Sequence, residues 1–207
     1  MKKRYIFDLD GTLLTGNFSS TDQYFKEIYG DKAYPFLNDM THILDRYEKL
    51  FPRYDYEDLS TFLTMKTGLD MSPRVIREWD QLVGEVKDVP EEYVQEVLEY
   101  LKSQGASLAV LTNWFGESQT NRLERAGLLE YFDTVYGGDI VTKPHKEAYW
   151  VAAAASKPED CVFIGDNVDN DYIGPKACGM NSILYDKKNQ YHKTLVKVRS
   201  LRELKDK

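Results

Sequence analysis

Tyr5-Ile6-Phe7-Asp8-Leu9-Asp10-Gly11-Thr12-Leu13 sets an apolar run directly before two aspartates and a glycine. The run reads as a strand buried on both faces, which suits a parallel sheet covered by helices on either side. In open sheets of that kind, ligands bind beyond the carboxyl ends of the strands. Carboxylates at i and i+2 in an irregular turn can converge on one point, and Gly11 lets the backbone turn sharply. A solvated Asp-Gly turn would use the same residues, so the rest of the chain decides.

Four more apolar runs read as strands, at residues 108–111, 134–136, 162–164 and 182–185. Helical patterns separate them. Val94, Val97, Leu98 and Leu101 form an i, i+3, i+4, i+7 stripe behind Pro90-Glu91-Glu92, a favourable first turn. Further helices are expected near residues 117–126, 145–155 and 171–178, with Gly105 and Gly127 at C-cap positions. Alternating strands and helices predict an α/β fold, a doubly wound parallel sheet with a Rossmann-like core. Residues 16–87 break the alternation and show helical stripes only. One holds Phe36, Met40, Ile43, Leu44, Tyr47 and Phe51. Another holds Val75, Ile76, Trp79, Leu82 and Val83 behind Ser72-Pro73, and a weaker one holds Leu59, Phe62 and Leu63. The expected division is a core of residues 1–16 and 88–207 with a small α-helical domain, 17–87, inserted through exposed linkers near 15–19 and 85–90. The aromatics of the insert are expected mainly to pack.

A length of 207 residues allows one to two domains. The net charge of −7 argues against nucleic-acid binding, which needs a basic face. Cys161 and Cys178 have no metal-ligand spacing and read as small core residues of a reducing compartment. His42, His145 and His192 are too scattered for a zinc site. Asp8 and Asp10 interrupt the N-terminal apolar run, so it fails as a signal peptide, and no run of about 18 apolar residues offers a membrane span. A cytoplasmic monomer or homodimer is expected. The basic stretch after Lys187 is expected to be a short surface helix.

Gly165-Asp166-Asn167-Val168-Asp169-Asn170-Asp171 follows the strand at 162–164 and again sets acids at a strand's carboxyl end. If those ends are neighbours, Asp8, Asp10, Asp166 and Asp171 crowd together. Two like charges about 4 Å apart repel by roughly 4 kcal/mol at an effective dielectric near 20. A divalent cation removes the conflict, and hard oxygen donors point to Mg²⁺. Lys143-Pro144 supplies a positive charge for an anionic substrate, and Thr112-Asn113 a hydroxyl and N–H groups for phosphate.

With these four stretches in this order, the chain resembles the haloacid dehalogenase-like superfamily of Mg²⁺-dependent phosphotransferases. The segment Ile173-Gly174-Pro175-Lys176-Ala177-Cys178-Gly179-Met180 is similar to the family's closing helix and turn, and the insert to its helical cap. Lys143-Pro144-His145-Lys146 departs from the pattern, since many relatives have an acidic residue and a second proline there. The resemblance implies a Mg²⁺-dependent phosphatase acting on a small phosphomonoester of nucleotide, sugar phosphate or phosphoglycolate type. Asp8 would be the nucleophile that becomes an aspartyl-phosphate, and Asp10 the general acid and base. Thr112, Asn113 and Lys143 would bind the phosphoryl oxygens with Asp8. Asp8, Asp166 and the backbone carbonyl of Asp10 would hold Mg²⁺, and Asp171 with Asn170 would stand behind them, Asp171 orienting Lys143 or a water on the metal. Dehalogenases of the superfamily lack the second acid and P-type pumps carry Thr there, so Asp10 favours ester hydrolysis. A phosphomutase on the same scaffold, or a binding protein that kept the fold, are the alternatives. Phe18, Arg53 and Arg74 are candidate substrate contacts from the cap, and Trp114 and Phe115 candidates for the wall of the site.

Overall fold

The run before Asp8 forms β1 (Arg4–Phe7), buried at every residue. In the computed structural model, which describes residues 3–207, β1 lies inside a six-stranded parallel sheet of order β5-β4-β1-β6-β7-β8. Met1 and Lys2, which open the expected core, lie outside the described residues. The neighbours are β4 (Ser107–Leu111), β5 (Thr134–Tyr136), β6 (Cys161–Gly165), β7 (Asn181–Tyr185) and β8 (Lys197–Val198). Phe7 pairs in register with Val110 on one side and Ile164 on the other, so three strands end level. Side chains alternate between faces. Phe7, Val110 and Ile164 pack with Leu98 of α5 (Val94–Ser103), while Ile6, Ala109 and Phe163 pack with Tyr149 of α7 (Lys146–Ala153). Both faces are therefore covered, as the apolar runs predict. Among the described residues, no helix is long and apolar enough to cross a membrane.

The linkers differ from expectation. β2 (Leu14–Asn17) and β3 (Lys87–Pro90) pair as an antiparallel ribbon, from Leu14 opposite Pro90 to Asn17 opposite Lys87. Neither strand has an apolar pattern, and Gly16 and Pro90 are poor strand residues, so only the partner makes each one a strand. Between them run α1 (Ser19–Tyr29), α2 (Ala33–Leu50), α3 (Tyr56–Thr67) and α4 (Pro73–Gly84). Helix α1 carries no stripe visible in the sequence, because it buries only Thr21 and Phe25. The aromatics do pack: Phe25 meets Phe36 and Trp79 edge-on, each at 5.0 Å between ring centroids.

Two later elements also differ. The helix expected at 171–178 begins as a π-helical turn, Val168–Ile173, before α8 (Gly174–Ala177). The Asn167 side chain accepts from the N–H groups of Asp169 and Asn170, and the Asp171 side chain accepts from the N–H of Asn167 at 3.0 Å. These local bonds favour a widened turn over a regular one. The C-terminal stretch is not a surface helix. Val198 joins the sheet edge, and the 3₁₀ turn Leu201–Asp206 buries Leu201 and Leu204 against the α5 side of the core. Two apolar anchors three residues apart suffice to dock it. Phe163, fully buried in β6, holds up the sheet beneath the site. Phe163→Ala should therefore lower stability by about 3–5 kcal/mol, read as a fall in the urea midpoint at unchanged m.

Candidate active site

The carboxyl ends of four adjacent strands deliver the predicted residues to one place. Asp8 follows β1, its N–H donating to the Ile164 carbonyl at 2.8 Å. Thr112 follows β4, Asp166 follows β6, and Lys143 ends the loop after β5. The loops touch. Gly11 holds φ +81°, and a Cβ there would sit 2.5 Å from an Asp166 oxygen. A Cβ on Gly165 would sit 2.3 Å from the Asp171 carboxyl carbon. Both glycines are needed for the acidic loops to meet.

The Lys143 ammonium is buried and bridges Asp8 at 2.6 Å and Asp171 at 2.7 Å. Burial opposes its charge, but Asp171 and Asp8 outweigh that and hold its pKa well above the ordinary lysine value. Burial drives the Asp8 carboxyl well above the carboxylate range; Lys143 pulls it down, and Asp171 and Asp166 push it further up. Burial, then the charge of Asp171, pushes Asp166 up to about 6. One oxygen from each of Asp8, Asp166 and Asp171 lies within 4.8 Å of the others. Ionised, these acids and Lys143 sum to −2, the charge one divalent cation cancels. Asn170 Oδ1, in the same cleft, is buried without a hydrogen-bond partner. An all-oxygen donor set with charge to spare fits Mg²⁺. The Asp171 side chain, expected from the sequence to stand behind the metal, thus joins the acidic group.

Asp10 is held by a residue the sequence did not single out. Arg122, in α6 (Gly116–Arg125), is fully buried. Its Nη2 donates to Asp10 Oδ1 at 2.6 Å and Nη1 to Asp10 Oδ2 at 3.0 Å. Nε and Nη2 donate to Asp88 of β3 at 3.0 and 2.7 Å, and Nη1 to Gln119 at 2.8 Å. All five guanidinium N–H groups are used. Phe18 lies under the guanidinium, 5.1 Å from ring centroid to its carbon. One arginine on a polar helix looks solvated in sequence; only the docking of β3 buries it. Thr112 Oγ1 accepts from Gln119 at 3.3 Å, and Asn113 clamps the Lys143 backbone, its Oδ1 accepting from the N–H at 2.8 Å and its amide donating to the carbonyl at 3.1 Å.

Above these residues lies a cleft of about 400 Å³. Phe18 and Trp114 line it, as expected. Arg53 and Arg74 do not: both are exposed, and Arg74 pairs with Glu78 at 2.7 Å. Phe115 instead stacks on Tyr56 at 4.1 Å within the helical core. Glu48 of α2 enters the cleft unforeseen, its carboxylate accepting from the Tyr54 hydroxyl at 2.6 Å. Burial pushes it up to about 7 against the pull of Tyr54 and Asn113. The seam is bonded. His145 Nε2 donates to the Glu48 carbonyl at 2.8 Å, and the Thr142 N–H to the Pro52 carbonyl at 2.8 Å. The unusual residue after Lys143-Pro144 is therefore a tie between the lysine loop and α2.

Residues 2–179 match the family model of haloacid dehalogenase-like hydrolases. The chain belongs to that family. This hydrolase is 29% identical over 189 residues to pyrophosphatase PpaX of Halalkalibacterium halodurans, covering 86% of the chain and 80% of the relative. It is 31% identical over 112 residues to ribulose-1,5-bisphosphate 5-phosphatase of Halopiger xanaduensis, covering 52% of the chain and 46% of the relative. The structure of L-2-haloacid dehalogenase from Xanthobacter autotrophicus shares the fold, with a TM-score of 0.74 and 19% identity over 100% of this chain and 98% of that one. In this hydrolase Arg122 neutralises Asp88, whose side chain is only 4% exposed. Arg122→Ala should cost about 3–5 kcal/mol in urea unfolding, because a buried carboxylate is left unpaired. Arg122→Lys should recover only part of this, since an ammonium cannot reproduce the fork.

Proposed function

We propose that this hydrolase is a Mg²⁺-dependent phosphatase that acts on a small phosphomonoester through an aspartyl-phosphate on Asp8. What supports this most is the convergence of Asp8 and Asp10, Thr112 and Lys143 on one cleft from three separate loops, with the acids in excess of the cations. Asp8 attacks phosphorus in line with the leaving oxygen. Lys143 orients Asp8 and has one N–H left for a phosphoryl oxygen, and the Thr112 hydroxyl, which donates to the Asn113 carbonyl at 3.0 Å, turns to serve a second. Asp10, reaching the cleft with 44% of its side chain exposed, gives a proton to the leaving oxygen and later takes one from the attacking water. Arg122 fixes its direction. Asp8, Asp166 and Asp171 are the acids that would hold Mg²⁺, which when bound offsets the charge that builds between nucleophile and phosphate. Asp10 favours phosphate esters over haloacids, because a leaving alkoxide needs a proton and a halide does not.

Residues 17–87 act as a cap domain over the core, 1–16 and 88–207, excluding bulk water from the cleft. The substrate is a small molecule, and the cytoplasm, with free Mg²⁺ and reduced thiols, is the compartment that suits the chemistry and the free Cys161 and Cys178.

Asp8→Asn should abolish phosphate release from p-nitrophenyl phosphate while the melting profile stays cooperative; sustained turnover overturns the covalent route. Asp10→Asn should slow turnover by roughly 10²–10⁴. Because the Asp166 pKa is raised when folded, from 3.8 to about 6, this group's contribution is fully present below pH about 4 and lost as pH rises through about 6. Metal-free protein should lose stability over that window, and added Mg²⁺ should raise the melting temperature more at pH 8 than at pH 5. An equal rise at both would contradict binding at these carboxylates.

A further inference from the structure

The wall that the helical segment gives to the cleft carries carboxylates and no cation. Asp45 and Glu48, three residues apart on α2, both line it. Asp45 is paired with Lys49 at 2.8 Å on the exposed side, whereas Glu48 forms no salt bridge among the described residues. The flanking residues Met40, Leu44 and Val83 are apolar, which lowers the local dielectric and lengthens the reach of the Glu48 charge. The cations in the cleft are Lys143 and Arg122. Arg122 has all five donors committed to Asp10, Asp88 and Gln119. Lys143 has two committed to Asp8 and Asp171, leaving one for the phosphoryl group itself. Among the described residues that line the cleft, no further cation remains for a second anionic group on the substrate; Lys49, at the rim, is paired with Asp45.

Resting on the phosphatase reading above, we propose that the cleft selects phosphomonoesters whose alcohol end carries hydrogen-bond donors and no negative charge, an ammonium above all, with Glu48 as the specificity-determining residue. A second phosphate or a carboxylate at that end would meet Glu48 among apolar side chains, and like charges so placed are rejected. An ammonium or hydroxyl would instead donate to the Glu48 carboxylate, which forms no salt bridge among the described residues. The substrates in the two relatives' names, pyrophosphate and a sugar bisphosphate, both bring the second phosphate that this wall disfavours. Burial holds the Glu48 carboxyl near pH 7, so measurements belong at pH 8, where it is charged before substrate arrives.

The test compares kcat/KM at pH 8 with Mg²⁺ for O-phosphoethanolamine, glycerol 2-phosphate and 2-phosphoglycolate, beside p-nitrophenyl phosphate. The expected order is cationic, then neutral, then anionic, with about tenfold or more between the ends. Glu48→Gln keeps an acceptor for Tyr54 and should narrow that gap about tenfold, chiefly through KM. Thr41→Lys, which adds a cation to the same wall, should shift preference toward 2-phosphoglycolate. Preference of the unmodified protein for 2-phosphoglycolate, or a gap unmoved in folded Glu48→Gln, overturns the inference and leaves the phosphatase standing. No release from any ester, p-nitrophenyl phosphate included, overturns the phosphatase and the inference with it.

Discussion

Three buried or half-buried carboxylates crowd around one ammonium that bonds only two of them, at the edge of a parallel sheet, and the rest of the molecule is arranged around that imbalance. Each close pair of like charges costs several kcal/mol, comparable to the whole stability of a domain. Such a cluster survives only on a rigid support. Here the support is β1, β4 and β6, level in register and covered on both faces, with glycines at 11 and 165 letting two acidic loops touch. Burial raises the Asp8 and Asp166 carboxyls, with Asp171 adding to the rise, while Asp171 and Asp8 together raise Lys143 against its own burial.

A second ionic group, around Arg122, ties the chemistry to the architecture. One guanidinium holds Asp10 at the site and Asp88 in the ribbon through which the chain returns from the helical segment. Any shift of that ribbon is felt at Asp10 through two hydrogen bonds on each side. On the opposite flank, His145 and Thr142 bond the α2 end to the lysine loop. The helical segment is thus anchored at both edges of the cleft, and the departure from the family pattern at His145 acquires a physical role.

The strands and the acidic loops were legible because their signals are local. An apolar run of four or five residues, followed at once by Asp-x-Asp-Gly or Gly-Asp, carries strand and site in one contiguous stretch. The stripes of α2, α4 and α5 were legible for the same reason. The ribbon of β2 and β3 was not, since two strands of weak propensity 70 residues apart exist only through each other. Arg122 and Glu48 were not either. A charged residue on a polar helix reads as solvated, and nothing in its neighbours says that another element will bury it.

By itself, then, the chain's order of residues determined an α/β sheet, the strand ends that bear acids, and the excess of carboxylate over cation that asks for a metal. Only the tertiary structure decided which carboxylates share Lys143, which arginine grips Asp10, and that the wall given to the cleft by the helical segment is acidic. The difference lies in range. Backbone preference and hydrophobic period act over a few neighbours in sequence, whereas burial and ion pairing act over ångströms between residues more than a hundred positions apart.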